Sequence, residues 1–246
     1  GKGRMLAYRL THHLSDLTTN VSQSASESFE TLGAVPKNGI TTIYNGIDLE
    51  RFKRNEQANL EVRLALGLSD NDLMLLAVGR LHEAKDYPNL FHAIEILLKQ
   101  DDEHKNIHLF VVGDGDLRSE LEHLITEKKL STQVHLLGRR SDIPQLMSAA
   151  DLFILSSSFE GFGLVVAEAM ACQTYVVATD CGGVKEVMGD TGILVQPKNS
   201  LDLAQALMRA INLSDVEVIQ NNMKAVMHVS KNFDLKIIVT KWLEIY

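Results

Sequence analysis

The chain has 246 residues, 45% hydrophobic and 23% charged, with 24 Lys and Arg against 32 Asp and Glu for a net charge of −8. That length and balance describe a globular protein able to bury its own core and exclude a disordered chain. The acidic surplus excludes nonspecific nucleic-acid binding, which needs a basic footprint. Two cysteines, Cys172 and Cys181, outside any CxxC pattern exclude a disulfide framework and a structural zinc site.

The chain opens with a helical pattern over 1–14, a short strand over 17–21, a helix over 24–32 and a strand over 40–44. One and a half strand-helix units are too few for a sheet with its own core. They either extend the main sheet or end a different domain, and the opening Gly1-Lys2-Gly3, with no Met, reads as a cut point. Asn45-Gly46-Ile47-Asp48 then reads as a turn. Apolar runs follow at 73–78, 107–112, 134–137, 152–155, 175–178 and 192–195. Several are apolar throughout, as strands covered on both faces must be. Helical spacing lies between them, in Leu90, Ile94, Leu97 and Leu98, and in Leu117, Leu121, Leu124 and Ile125. The alternation predicts a doubly wound α/β domain from about residue 73 to 195. The rest reads as a helical tail: 200–213, 215–230 and 234–246, with Asp202, Asp215 and Asp234 near first turns, where negative charge suits the helix dipole.

Ligands of open α/β sheets sit beyond the carboxyl ends of the strands. Gly79 exits the first run, and Arg80 and Lys85 follow on one loop, a guanidinium fork and a point ammonium suited to two phosphates. Pairing of Lys85 with Glu83 or Asp86 is the plainer alternative. Gly113-Asp114-Gly115-Asp116 lacks the third glycine of a dinucleotide fingerprint, because Arg118 stands there, and reads as a tight turn with helix capping. Gly138 and Arg139 precede a helix that Ser141 or Asp142 can cap; an Arg plane there suits a nucleobase. The stretch from Ser156 to Glu168 carries most information. Gly161 and Gly163 permit close backbone approach, a helix starts near Gly163, and Glu168 interrupts an apolar helical run. A carboxylate there needs partners, either ribose hydroxyls or a nearby Arg or Lys. Gly182-Gly183 opens a further helix. His12 and His13 diverge, and His104 and His108 straddle a loop, so no metal site is expected.

Together these residues resemble a known family. Glu160 and Glu168, seven residues apart around Gly161-Phe162-Gly163-Leu164, resemble the E-x7-E motif of retaining GT-B glycosyltransferases of family 4. Gly79-Arg80 with Lys85 resembles that family's diphosphate clamp, Asn45-Gly46-Ile47-Asp48 its interdomain junction, and Gly182-Gly183 with Glu186 its later G-G-x-x-E loop. The resemblance runs from about residue 40 to 210. Gln173-Thr174-Tyr175 and Val184-Lys185 depart from the family pattern without touching the clamp.

The resemblance implies a Rossmann-like carboxy-terminal GT-B domain over 46–246, with 1–45 a remnant of the amino-terminal, acceptor-side domain. It implies hexose transfer from a UDP- or GDP-linked sugar with retention and no metal or other cofactor, in polysaccharide or glycolipid synthesis. Arg80, Lys85 and Glu160 would be catalytic. Glu168 would hold the ribose, Gly138 and Arg139 would face the base, and Phe162, Gly163, Leu164 and Val165 would position the donor. The partners implied are the nucleotide sugar and, through the missing domain, an acceptor saccharide or glycolipid, with no nucleic acid. The location expected is the cytoplasm or the inner face of the membrane. Alone, the chain would bind nucleotide weakly, and Trp242, Leu243 and Ile245 would be left exposed. The alternatives are a non-catalytic nucleotide-sugar-binding module, and a glycoside hydrolase using Glu160 and Glu168.

Overall fold

The computed structural model describes residues 2–100 and 106–245. In chain order they form α1 (Lys2–Thr11), β1 (Thr19–Asn20), α2 (Gln23–Thr31), β2 (Thr41–Thr42), α3 (Glu56–Ala65), β3 (Leu73–Val78), α4 (Tyr87–Gln100), β4 (Ile107–Val112), α5 (Arg118–Glu127) and β5 (Val134–Gly138). There follow α6 (Ile143–Ala149), β6 (Leu152–Leu155), α7 (Leu164–Ala171), β7 (Tyr175–Thr179), α8 (Val184–Met188), β8 (Ile193–Val195), α9 (Ser200–Ile211), α10 (Asp215–Phe233) and α11 (Leu235–Leu243). Strands β3 to β8 form one parallel sheet in the order 5-4-3-6-7-8.

The strands are apolar on both faces because both faces are covered. Met74 and Leu76 of β3 join Phe110 and Phe153 under α6, α7, α8 and α10. Leu75 and Ala77 join Leu109 and Val111 under α4, α5 and α9. Both clusters are almost wholly shielded from water, and each large aliphatic side chain so buried contributes about 1.5–3 kcal/mol.

The opening units do not extend this sheet. β1 and β2 pair only with each other, in parallel, as a separate two-stranded sheet. The helix α3 has no counterpart among the expected elements. Asn55 caps it by accepting from the Ala58 amide at 3.1 Å, and Arg63 anchors it through the Ala149 carbonyl and Asp151. Its outer face is polar apart from Leu60 and Leu64, so periodicity is weak there.

The carboxyl-terminal helices appear as expected, with α10 running three residues further, to Phe233. Asp202 and Asp215 occupy first turns, and Asp234 caps α11 by accepting from the Lys236 amide. The chain there returns to the Asn45–Asp48 segment, which forms no turn and instead bridges Asp234 through Ile47 in parallel. The Ile47 amide donates to the Phe233 carbonyl at 2.7 Å, and the Leu235 amide donates to that of Ile47 at 3.0 Å. Leu243 and Ile245 are exposed as expected, but Trp242 is half-buried.

Candidate functional site

The strand order puts the carboxyl ends of β3 and β6 side by side where the connections change direction. The following loops part to opposite faces and leave a crevice between them. Both loops are stitched together at its floor. The Ser158 amide donates to the Ala84 carbonyl at 2.8 Å, and the Ser156 hydroxyl to the Lys85 carbonyl at 2.7 Å. The Tyr87 hydroxyl fixes the strand exit through the Gly79 carbonyl at 3.0 Å.

Lys85 folds back over Gly79, where any Cβ would crowd its stem. Its Nζ lies 2.6 Å from Glu160 Oε1, with the two side chains only 18% and 15% exposed. The Ser157 hydroxyl donates to the same oxygen at 2.7 Å. Lys85 therefore joins Glu160 across the crevice instead of Glu83 or Asp86 on its own loop.

Arg80 and Arg139 turn to a neighbouring rim. Arg80 Nη2 lies 3.1 Å from Asp116 Oδ2, and Arg139 Nε lies 3.7 Å from Asp114 Oδ2. These four side chains and Gly115 line an open polar depression of about 540 Å³. Both arginines are well exposed, so their ion pairs hold them weakly, at roughly 0–1 kcal/mol, and an anion can displace them. The tight turn expected over 113–116 comes later, at 116–117, where the Arg118 amide donates to the Gly115 carbonyl at 3.2 Å. Gly113, at φ +142°, comes so close to the Gly79 carbonyl that a Cβ would overlap it, and its amide donates to the Gly138 carbonyl at 2.9 Å. The helix α5 after it has Leu117 at its N-cap position and no side-chain cap. Asp142 stands at the start of α6 but does not cap it either. Arg140 takes its carboxylate at 2.8 and 2.6 Å and holds that carboxyl below the usual range.

Glu168 lies one turn inside α7, half-buried, and its carboxylate makes no hydrogen bond or ion pair among the described residues. Burial pushes its carboxyl from an ordinary 4.5 up to about 7, and the charge of Arg51 pulls it back only in part. It faces different neighbours from Glu160 and is not brought against Lys85. Gly163 stands at the start of α7, and the Leu164 and Val165 amides, at its first two positions, have no intrahelical acceptor. Leu164 is exposed and Val165 half-buried, but the Phe162 ring is buried against Tyr44 and Phe233, so only its backbone can face a ligand.

The glycine pair 182–183 meets protein, not open space. At φ +57°, Gly182 abuts the Glu160 carbonyl, and Gly183 packs on Ser22 and Phe162. Ser157, Ser22, Tyr87 and Arg51 are the site neighbours that sequence reasoning passed over. The Ser156-Ser157-Ser158 row was a visible signal, whereas Ser22 lies 139 positions from the residue it bonds.

Among the described residues no group of three His, Cys, Asp or Glu side chains could hold a metal ion. His108 pairs with His135 at 3.3 Å, and His104 lies outside the described residues. No described helix is long and apolar enough to cross a membrane. A second groove, between Asp151, Ile211 and Met223, lies at the amino ends of the strands, away from the crevice.

A raised carboxyl has a stability consequence. The native state holds the Glu168 proton more tightly than the unfolded chain does. That contribution is complete below pH 4.5 and is lost as pH rises through about 7. Glu168→Gln is therefore expected to stabilise the fold by about 1–2 kcal/mol at pH 8 and by nothing at pH 4.5. Urea unfolding at both pH values checks this, and an equal effect at both would contradict it.

The family model for group 1 glycosyl transferases matches residues 60–225. An uncharacterized glycosyltransferase of Methanocaldococcus jannaschii is 32% identical over 238 residues, covering 93% of this chain and 59% of that protein. The N-acetyl-alpha-D-glucosaminyl L-malate synthase of Bacillus anthracis is 29% identical over 236 residues, covering 94% of this chain and 59% of its own length. The Anabaena protein HepE, solved in complex with UDP and glucose, superposes with a TM-score of 0.88 at 29% identity, over 99% of this chain and 66% of that one. This chain thus spans about three fifths of the length of the two sequence relatives. With the family matched over residues 60–225, and the crevice lying at the switch point of a six-stranded Rossmann-like sheet, the chain belongs to the group 1 glycosyl transferases and has the Rossmann-like carboxy-terminal domain of their GT-B fold.

Proposed function

We propose that this chain is the donor-binding part of a retaining glycosyltransferase that moves a hexose from a UDP- or GDP-linked sugar to a hydroxyl of a saccharide or glycolipid. The observation that carries this reading is the meeting of Lys85 and Glu160 at 2.6 Å across the crevice, beside a rim bearing Arg80 and Arg139. Relatives that are named for sugar transfer or hold UDP support it.

In this reading Arg80 and Lys85 answer the negative charge that grows on the departing diphosphate, so they act most strongly in the transition state. Glu160, oriented by Lys85 and Ser157, and the free amides of Leu164 and Val165 position the hexose. Glu168 accepts hydrogen bonds from the ribose hydroxyls as a carboxylate. Gly138 and Arg139 lie against the base. Residues 1–45, with their separate sheet, belong to an acceptor-side unit, which would carry any contact with a membrane surface; the setting is cytoplasmic. The hydrolase alternative needs two carboxylates sharing one substrate bond. Glu160 is instead neutralised by Lys85, and Glu168 faces Arg51.

Titration calorimetry with UDP, GDP and ADP tests the reading. One nucleotide is expected to bind, and Arg80→Ala to weaken it about tenfold through loss of one charge-assisted contact. Binding of none by the wild-type chain would refute the proposal.

A further inference from the structure

We propose that Glu186 and Ser22 are positioning residues that hold the Glu160 loop against the amino-terminal unit; the consequence for donor transfer rests on the function proposed above. The Glu186 carboxylate lies across the start of α2. Its Oε2 accepts from the Gln23 amide and its Oε1 from the Ser24 amide, each at 2.8 Å. Those amides have no acceptor inside the helix, and a carboxylate there also meets the positive end of the helix dipole. α8 of the main domain is thereby fastened to α2 of the amino-terminal unit, 162 and 163 positions away in the chain.

The fastening fixes Ser22, the residue that caps α2. Its hydroxyl accepts from the Ala25 amide at 3.1 Å and donates to the Gly161 carbonyl at 2.8 Å. Ser22 is fully buried, so water cannot replace either bond at no cost. Gly161 is the residue after Glu160, and the carbonyl of Glu160 itself rests on Gly182. Tyr44, on the chain leaving β2, packs on Phe162 with ring centroids 5.8 Å apart. The amino-terminal unit therefore grips two consecutive loop residues, 161 and 162, and the loop presents Glu160 to Lys85 from that grip. A shift of the amino-terminal unit would be felt at Glu160 through one hydroxyl and one ring.

Two local readouts test this on the chain as it stands. Phe159 is 70% exposed beside Glu160, so chymotryptic cleavage after it reports loop loosening. Lys85 is mostly covered by its pairing with Glu160, so its rate of acetylation reports whether Glu160 stays in place. Ser22→Ala and Glu186→Ala are each expected to raise both rates about tenfold, the worth of one buried hydrogen bond, with Glu186→Gln between them and wild type. Acetylation of Lys128, 16% exposed and paired with Glu95 at 2.7 Å away from the loop, should stay at the wild-type rate, which general destabilisation would not allow. Ser22→Ala removes a single oxygen and decides the matter if Glu186→Ala does not fold. Unchanged rates at Phe159 and Lys85 in a folded Ser22→Ala would overturn the proposal. Failure of wild type to bind any nucleotide would remove only its link to donor transfer.

Discussion

Lys85→Ala is expected to destabilise the protein by about 2–3 kcal/mol and to weaken nucleotide binding at least tenfold. The stability loss follows from what is left behind. Glu160 is 15% exposed and would keep only the Ser157 hydroxyl as a partner. Its charge, already stripped of most of its water, would lose the ammonium 2.6 Å away. Removing both charges together, as Lys85→Met with Glu160→Gln, should cost less than Lys85→Ala alone, because no charge is then stranded. Urea unfolding of the three proteins and wild type gives the comparison. If Lys85→Ala unfolds within about 0.5 kcal/mol of wild type, as an exposed pair would, the account of the crevice as a partly dry ion-pair site fails. The binding loss would follow from the removal of one of the two cations assigned to the diphosphate.

Gly182→Ala is expected to cost more than about 3 kcal/mol or to prevent folding. Two penalties coincide. The backbone lies at φ +57°, which a residue with a Cβ adopts only under strain. The new methyl would also overlap the Glu160 carbonyl, a backbone atom held by its neighbours and unable to swing aside as a side chain could. Relief would require the loop bearing Glu160 to move outward, so any folded fraction should show Lys85 released from its partner. Gly3→Ala has open space around it and serves as the control with little effect. Thermal unfolding of the two variants decides the point; a fall in Tm no larger than that of the control would show that the loop yields freely.

Much of the fold was legible because its causes are local. The apolar runs at 73–78 and 107–112 carry no polar alternation, and a strand with that pattern has to be covered on both faces. The positions of Arg80, Lys85 and Glu160 in the loops beyond strand ends followed from the same logic, since parallel strands present their loops at one edge. What failed was also physical. α3 is held by Arg63 and Asn59 reaching the end of α6, contacts that leave little trace in hydrophobic spacing. Asp142 has the right type and place for a cap, yet Arg140 competes for its carboxylate with a bidentate pair. Phe162 has the family's position but its ring fills a core of Tyr44 and Phe233.

By itself the amino-acid sequence determined the layering, the strand-end positions of the charged residues and the likeness to a sugar-transferring family, because periodicity and short motifs are properties of neighbours along the chain. Only the tertiary structure decided that Lys85 belongs to Glu160, that the opening strands keep a sheet of their own, and that Ser22 bonds the Gly161 carbonyl while Glu186 bonds the start of α2. The side-chain contacts among these join groups 75 to 163 positions apart. At such separations the chain's own spacing carries no information, and the outcome is set by which surfaces bury each other and which buried polar groups must then find a partner.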